Sequence, residues 1–221
     1  GGLRYRARIR AGAGLGAVVN VARDHLRVHR FLPHSYANGP GARAVIWVQG
    51  CTLGCPGCFN PATHPHAGGE LMPIATLFRR IVAASAAFDA STETPIEGVT
   101  ISGGEPLQQP APLSKLLTRL RNETSLSLLL FTGYTWAEIQ RMPHAAQILA
   151  CLDVLITGRY DESQRVAHGL LGSSNQRIHL LSARYSEADL RAAPPAEVIV
   201  TAEGDVVLSG IDPLAWETPG E

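Results

Sequence analysis

Apolar and polar positions along this chain follow two periods in turn, and the switches between them mark strands and helices. Ala44 to Gln49 (AVIWVQ) is a short β-type run. It feeds a stretch rich in Gly, Pro and Cys, Gly50 to Gly69, which carries neither period and is predicted to be a long working loop. Beyond it Ile74, Leu77, Phe78, Ile81 and Val82 recur at the spacing of one helix face, behind Pro73 at a favourable first position. A helix is therefore predicted from Pro73 to Phe88. The alternation continues with a strand over Gly98 to Ser102, a helix over Pro112 to Asn122 and a strand over Leu126 to Phe131. A helix over Thr135 to Cys151 and a strand over Leu152 to Ile156 follow. Further strands are predicted at Arg177 to Leu181, Glu197 to Thr201 and Val206 to Ser209, the last two flanking Ala-Glu-Gly-Asp as a hairpin.

Strands separated by helices imply parallel βαβ units, whose loops at the C-terminal strand ends hold the working residues. The expected fold class is α/β: a partial (β/α) barrel of mostly parallel strands with a C-terminal β-hairpin. Residues 1–35 are expected to form an N-terminal extension, 36–195 the partial barrel, and 196–221 a hairpin and tail packed on the same unit. Gly12-Ala-Gly14-Leu-Gly16-Ala17, after a strand-like run at Tyr5 to Ile9, fits a loose dinucleotide pattern. No acidic residue stands between positions 25 and 69 to complete it, so a flexible Gly-rich segment is the better reading.

Composition narrows the class. With 45% hydrophobic and 17% charged residues the chain can bury a core, which excludes a disordered polypeptide. Its wholly apolar stretches, such as Leu128 to Phe131, fall far short of the roughly 18 residues that span a bilayer. A soluble protein with cytoplasmic residence is expected, without membrane or nucleic-acid partners. The 19 basic and 19 acidic residues cancel, but unevenly: residues 1–69 hold eight arginines and the single acid Asp24, a net +7, leaving −7 on the rest. Four cysteines, Cys51, Cys55, Cys58 and Cys151, are too few and too unevenly placed for a disulfide-stapled secreted domain.

Three of them form the motif CxxxCxxC in Gly50-Cys51-Thr-Leu-Gly-Cys55-Pro-Gly-Cys58-Phe59. Gly54, Pro56 and Gly57 let the backbone curl, so that the thiolates can converge on one metal centre. The spacing admits two centres. A structural zinc site wants a fourth ligand, from Cys151, His64 or His66. A [4Fe-4S] cluster held by three thiolates keeps one iron open for a ligand that is to be reduced. Downstream, after Val99-Thr-Ile-Ser102, stands Gly103-Gly104-Glu105-Pro106 at a strand end, where glycines let a ligand approach the backbone.

CxxxCxxC paired with GGEP resembles the radical SAM (S-adenosylmethionine) superfamily. Gly50 to Thr63, Thr132-Gly-Tyr-Thr-Trp136, Asp153 to Gly158 and Gly172-Ser-Ser-Asn-Gln176 narrow the resemblance to the anaerobic ribonucleotide reductase activating proteins and the wider glycyl-radical activases. It runs from about Asn38 to Leu181. The resemblance implies that Cys51, Cys55 and Cys58 hold one [4Fe-4S] cluster and that SAM chelates its open iron. Reductive cleavage of SAM then yields a 5′-deoxyadenosyl radical, which takes a hydrogen atom from a glycine Cα of a glycyl-radical partner such as anaerobic ribonucleotide reductase. Gly57, Cys58 and Phe59 would lie against the adenine, and Gly103, Gly104 and Glu105 would receive the amino group. The chain departs from the family at Thr157 and at Glu105, positions where the activating proteins commonly carry Asp.

Thr132 and Tyr134, and Ser174 and Asn175 within the polar run Ser173 to Gln176, fall beside predicted strand ends and are further cofactor-binding candidates. His64 and His66, in a Pro-flanked loop, read as exposed, and Cys151 as a buried free thiol. One spare thiol excludes a second full cluster, so the electron is expected from a flavodoxin or ferredoxin, for which the cationic front third is a suitable docking face. Two other readings stay open: radical chemistry on a peptide or small molecule, and a non-catalytic metal-binding module.

Overall fold

A computed structural model describes residues 21–86, 94–200, 204 and 206–211. The strand-like run at Tyr5 to Ile9, the glycine pattern at 12–17 and most of the Ala-Glu-Gly-Asp turn lie outside the described residues. In chain order the elements are α1 (Val21–Asp24), β1 (His25–Ser35), β2 (Arg43–Val48), β3 (Glu70–Pro73), α2 (Ile74–Ala86) and β4 (Gly98–Gly103). Then come α3 (Pro110–Glu123), β5 (Ser127–Thr132), α4 (Trp136–Ile139), α5 (Ala145–Cys151) and β6 (Val154–Thr157). The chain continues through β7 (Arg165–His168), β8 (Leu171–Ser173), β9 (Arg177–Leu180), α6 (Glu187–Arg191), β10 (Ala196–Val200) and β11 (Val206–Gly210).

Seven strands form one sheet in the order β3-β1-β2-β4-β5-β6-β9. Its centre, β2-β4-β5-β6, is parallel, and both edges are antiparallel, with β1 on β2, β3 on β1 and β9 on β6. The sheet is thus parallel only at its core. β1 lies within the segment expected to be an extension, yet it pairs with two strands of this sheet. Its polar, histidine-bearing sequence HLRVHRFLPHS hid it, although the buried Leu26 and Val28 keep period two.

Central strands buried on both faces need continuous apolar runs, and β5 (SLLLFT) and β6 (VLIT) supply them. Alternation sends Leu128, Leu130 and Leu155 to the helix-covered face and Leu129, Val154 and Ile156 to the other, where they meet Leu170 and Leu190. The helical layer buries Ile74, Leu77, Phe78 and Ile81 of α2 and Leu113, Leu116, Leu117 and Leu120 of α3. Each such leucine contributes about 2 kcal/mol of burial, so these two stripes are the main hydrophobic fastening of the sheet.

The continuous helix predicted over Thr135 to Cys151 is corrected to two short ones. α4 starts on a capping box between Thr135 and Glu138 and ends at Ile139. Pro143 follows, and a proline disfavours helical backbone at the residue before it and removes a donor. His144 then takes φ 63° at the start of α5. Among the described residues no helix is long and apolar enough to cross a membrane.

A candidate cofactor cleft at the strand ends

Strand β2 delivers the chain to the cysteine loop, and two glutamines fix where it arrives. Gln49 is buried and donates its amide to the Ala62 and Pro65 carbonyls, pinning the far side of the loop to the strand end. Gln109, at the head of α3, donates to the Gln49 and Arg27 carbonyls and accepts from the Arg27 N–H. Gly50 N–H donates to Thr63 and Cys51 N–H to His64, so the loop closes on itself around the three thiols. Within it Gly57 takes φ 66°, a conformation that side chains resist, which lets the chain turn between Cys55 and Cys58.

Cys51, Cys55 and Cys58 all line one open cleft of about 160 Å³. Backbone N–H groups of Leu53 and Asn60 point at the Cys51 and Cys58 sulfurs, each at 3.5 Å. Burial pushes both of these thiols up. A cluster that takes up the thiolates relieves the cost of charging them there. Among the described residues no group of three or more His, Cys, Asp or Glu is arranged to hold a single metal ion. Three sulfurs on one cleft, two of them facing N–H donors, are the donor set that would hold a [4Fe-4S] cluster with one iron open.

The opposite wall is the end of β4. Gly103 and Gly104 lie on the cleft, and a Cβ on Gly104 would press into the Gly50 carbonyl oxygen. Glycine at 104 is what lets β4 and the cysteine loop meet, and Glu105 N–H then donates to that same oxygen at 2.9 Å. The Glu105 side chain is 1% exposed. It accepts from Thr132 Oγ1, Leu107 N–H and Gly133 N–H, each at 2.8 Å. Burial pushes its carboxyl up to about 7, against the pull of those three donors. In this geometry Glu105 locks the ends of β4 and β5 together, while still bordering the cleft.

Of the sequence candidates, Cys51, Cys55, Cys58, Phe59, Gly103, Gly104, Glu105 and Thr132 share this cleft. Gly57, Tyr134, Ser174 and Asn175 do not line it. Gly57 faces the Glu162 carboxylate. Tyr134 accepts from Gln108, which also reaches Thr52, so it braces the cysteine loop from outside. Ser174 is exposed beside Gln164, and Asn175 donates to the Arg159 carbonyl. The Phe59 ring packs against Tyr160 at 4.6 Å and beneath the Arg165 guanidinium at 4.9 Å. Thr157 shares the helical face with Leu155 and hydrogen-bonds His179. Arg159 pairs with Glu138 through both guanidinium nitrogens. His64 borders the cleft and His66 is exposed, while Cys151 is buried beside Thr118.

Sequence reasoning missed Asn38, Trp47, Ser102, Phe131, Gly210 and Ile211, which also line the cleft. Period two on β2, β4 and β5 places Trp47, Ser102 and Phe131 on one face, a signal that needs the strand register to be read.

Residues 37–179 match the family of 4Fe-4S single cluster domains. The chain is 33% identical over 160 residues to the anaerobic ribonucleoside-triphosphate reductase-activating protein of Vibrio cholerae, covering 70% of this chain and 97% of that one. It is 30% identical over 152 residues to the protein of that name from Enterobacteria phage T4, covering 67% and 90%, and 29% identical over 161 residues to that of Escherichia coli K12, covering 71% and 99%. With three thiols on a cleft that fits a cluster, the chain belongs to the 4Fe-4S single cluster domain family, as an activase-like radical SAM oxidoreductase whose cofactors are a [4Fe-4S] cluster and S-adenosylmethionine.

Proposed function

We propose that this chain activates an anaerobic ribonucleoside-triphosphate reductase by taking a hydrogen atom from a glycine of that partner. The observation that carries the reading is the meeting of the three-thiol loop with the Gly103–Glu105 strand end across one cleft. Cys51, Cys55 and Cys58 would hold the cluster. Gly103, Gly104 and Thr132 would receive the S-adenosylmethionine, and Glu105 keeps their strands in place. Bound together and reduced, the two cofactors supply one-electron cleavage of the S–C5′ bond and a carbon radical that accepts hydrogen. The parallel strands act as a partial (β/α) barrel whose C-terminal ends open to the partner. A flavodoxin or ferredoxin delivers the electron from outside, because Cys151, buried at 7% exposure, is the one remaining thiol.

Anaerobic reconstitution tests this reading. The protein should bind about four irons, as a single cubane requires, and release 5′-deoxyadenosine from SAM on reduction. Mixing with a reduced anaerobic ribonucleoside-triphosphate reductase should give a glycyl radical doublet by electron paramagnetic resonance. Full iron binding without SAM cleavage would sink the proposal, and cleavage without the doublet would move the substrate to a peptide or small molecule.

A further inference from the structure

The run Gly172-Ser-Ser-Asn-Gln176 carries Ser174 and Asn175, which do not line the cleft, yet it is tied residue by residue to the chain that leaves β6. Ser173 Oγ accepts from the Asp161 N–H at 3.1 Å. Ser174 N–H donates to the Gln164 carbonyl at 2.9 Å, and Asn175 Nδ2 to the Arg159 carbonyl at 2.8 Å. Gln176 Nε2 donates to the Gly158 carbonyl at 3.1 Å. Its Oε1 accepts from the Gly172 and Ser173 N–H groups at 2.9 and 3.3 Å, which closes the turn on itself. Each residue from 173 to 176 therefore fastens one residue of the loop 158–164.

What Gly172 contributes is room. Its φ is not positive, so the backbone conformation does not ask for glycine. Space does: a Cβ there would stand 2.8 Å from Phe59 Cε2 and 3.3 Å from Tyr160 Cδ2. The Phe59 ring meets the bare Gly172 backbone, the Tyr160 ring at 4.6 Å and the Arg165 guanidinium at 4.9 Å, the last two at distances typical of an aromatic pair and a cation–π contact. Tyr160 stands between Arg159 and Asp161, and Arg165 follows Gln164, so the bonds that fasten the loop also place both groups. Phe59 comes directly after Cys58 and lines the cleft. A ring held in this way sets the angle of the wall beside the third thiol.

We propose that residues 172–176 are a positioning element that acts on S-adenosylmethionine through Phe59: knotted to the loop 158–164, they hold Tyr160 and the bare Gly172 backbone against that ring, so that it meets the adenine in one fixed pose. A ring free to turn has to be ordered when the ligand arrives, and that ordering weakens binding. The inference rests on the cofactors and not on the hydrogen donor, so it stands apart from the activase reading.

The test is a double-mutant cycle on the reconstituted full chain, read as the Kd for SAM by equilibrium dialysis without reductant. Gly172→Ala should take up as much iron as the wild type and weaken SAM binding about tenfold. In a Phe59→Leu background the same substitution should weaken it less than about twofold, because the ring it collides with is gone. Gln176→Glu is the gentler variant should Gly172→Ala not fold, since it keeps both N–H bonds and loses only the donation to Gly158. It should weaken SAM about threefold, and again only beside Phe59. In both variants 5′-deoxyadenosine release at saturating SAM should fall less than the affinity does. A second measurement needs no cofactor: in the nuclear magnetic resonance spectrum of the apo-protein, the Phe59 ring current should shift one Gly172 Hα from its random-coil position, and Phe59→Leu should abolish that shift. Equal weakening in the two backgrounds, no weakening by either variant, or a Gly172 Hα indifferent to Phe59 overturns the proposal. SAM binding without cleavage by the wild type instead overturns the activase reading, and the Kd cycle still decides the positioning element.

Discussion

The two ends of the same parallel strands have opposite polar chemistry. At the N-terminal end Arg43, the first residue of β2, is completely buried and spends its donors internally. Its guanidinium donates to Thr100 Oγ1, Ser127 Oγ, Tyr185 Oη and the carbonyls of Pro40, Val99 and Ser127. Burial lowers its pKa, and Tyr185 and Asp153 partly restore it. At the C-terminal end β2 and β4 stop in glycines and thiols that line an open cleft. One end is a plug in which each donor meets an acceptor, and the other leaves sulfur and backbone facing space. A sheet end becomes a site when its polar groups are held in place yet left unspent.

The sharpest way to break this comparison is to remove one thiol. Cys55→Ala should reduce bound iron from about four to near none and abolish SAM cleavage, because a cubane with two protein ligands is not retained. Iron analysis and 5′-deoxyadenosine release check it, and thermal unfolding of the apo-protein should hardly move. The reverse holds at the plug. Arg43→Met should destabilise by about 4 kcal/mol in urea unfolding, since it strands several buried acceptors at once. Protein of this variant that does fold should still take up iron.

Between the ends stands Glu105, with a folded carboxyl raised to about 7 by burial. A raised acid is protonated in the native state while the unfolded chain has ionised, so its contribution is present below about pH 4.5 and lost as pH rises towards 7. Apo wild type should lose about 3 kcal/mol relative to Glu105→Gln across that window. Parallel pH–stability curves for the two proteins would contradict the lock. The smallest effect belongs to Arg159 and Glu138, whose pairing holds the carboxyl down to about 2. Their side chains are 42% and 39% exposed. After screening, Glu138→Gln should cost less than about 1 kcal/mol, read from thermal melts at neutral pH.

Much of the core was legible because it is local. The leucine stripe of α3 and the apolar runs of β5 and β6 each announce their period within one segment. β1 was not, because five of its eleven residues are His or Arg and mask the apolar alternation, while the pairing with β2 and β3 that makes it a strand is long-range. Pro143 marks the break between α4 and α5, but the apolar periodicity runs on across it and imitates one helix. Tyr134, Ser174 and Asn175 stand near strand ends, and nearness in sequence does not say on which side of a loop a side chain emerges.

What the sequence determined by itself is the chemistry: three thiols within eight residues, and two glycines and an acid where a strand stops, are constraints written in neighbouring positions. What only the tertiary structure decided is the shape around them. Asn38, Trp47 and Ile211 meet on one cleft because β2 pairs with β4 in a fixed register and because a hairpin more than 150 residues downstream docks on Ser35 and Asn38. Such contacts depend on long-range pairing, in which a shift of one residue turns every side chain to the opposite face, and no local pattern records it.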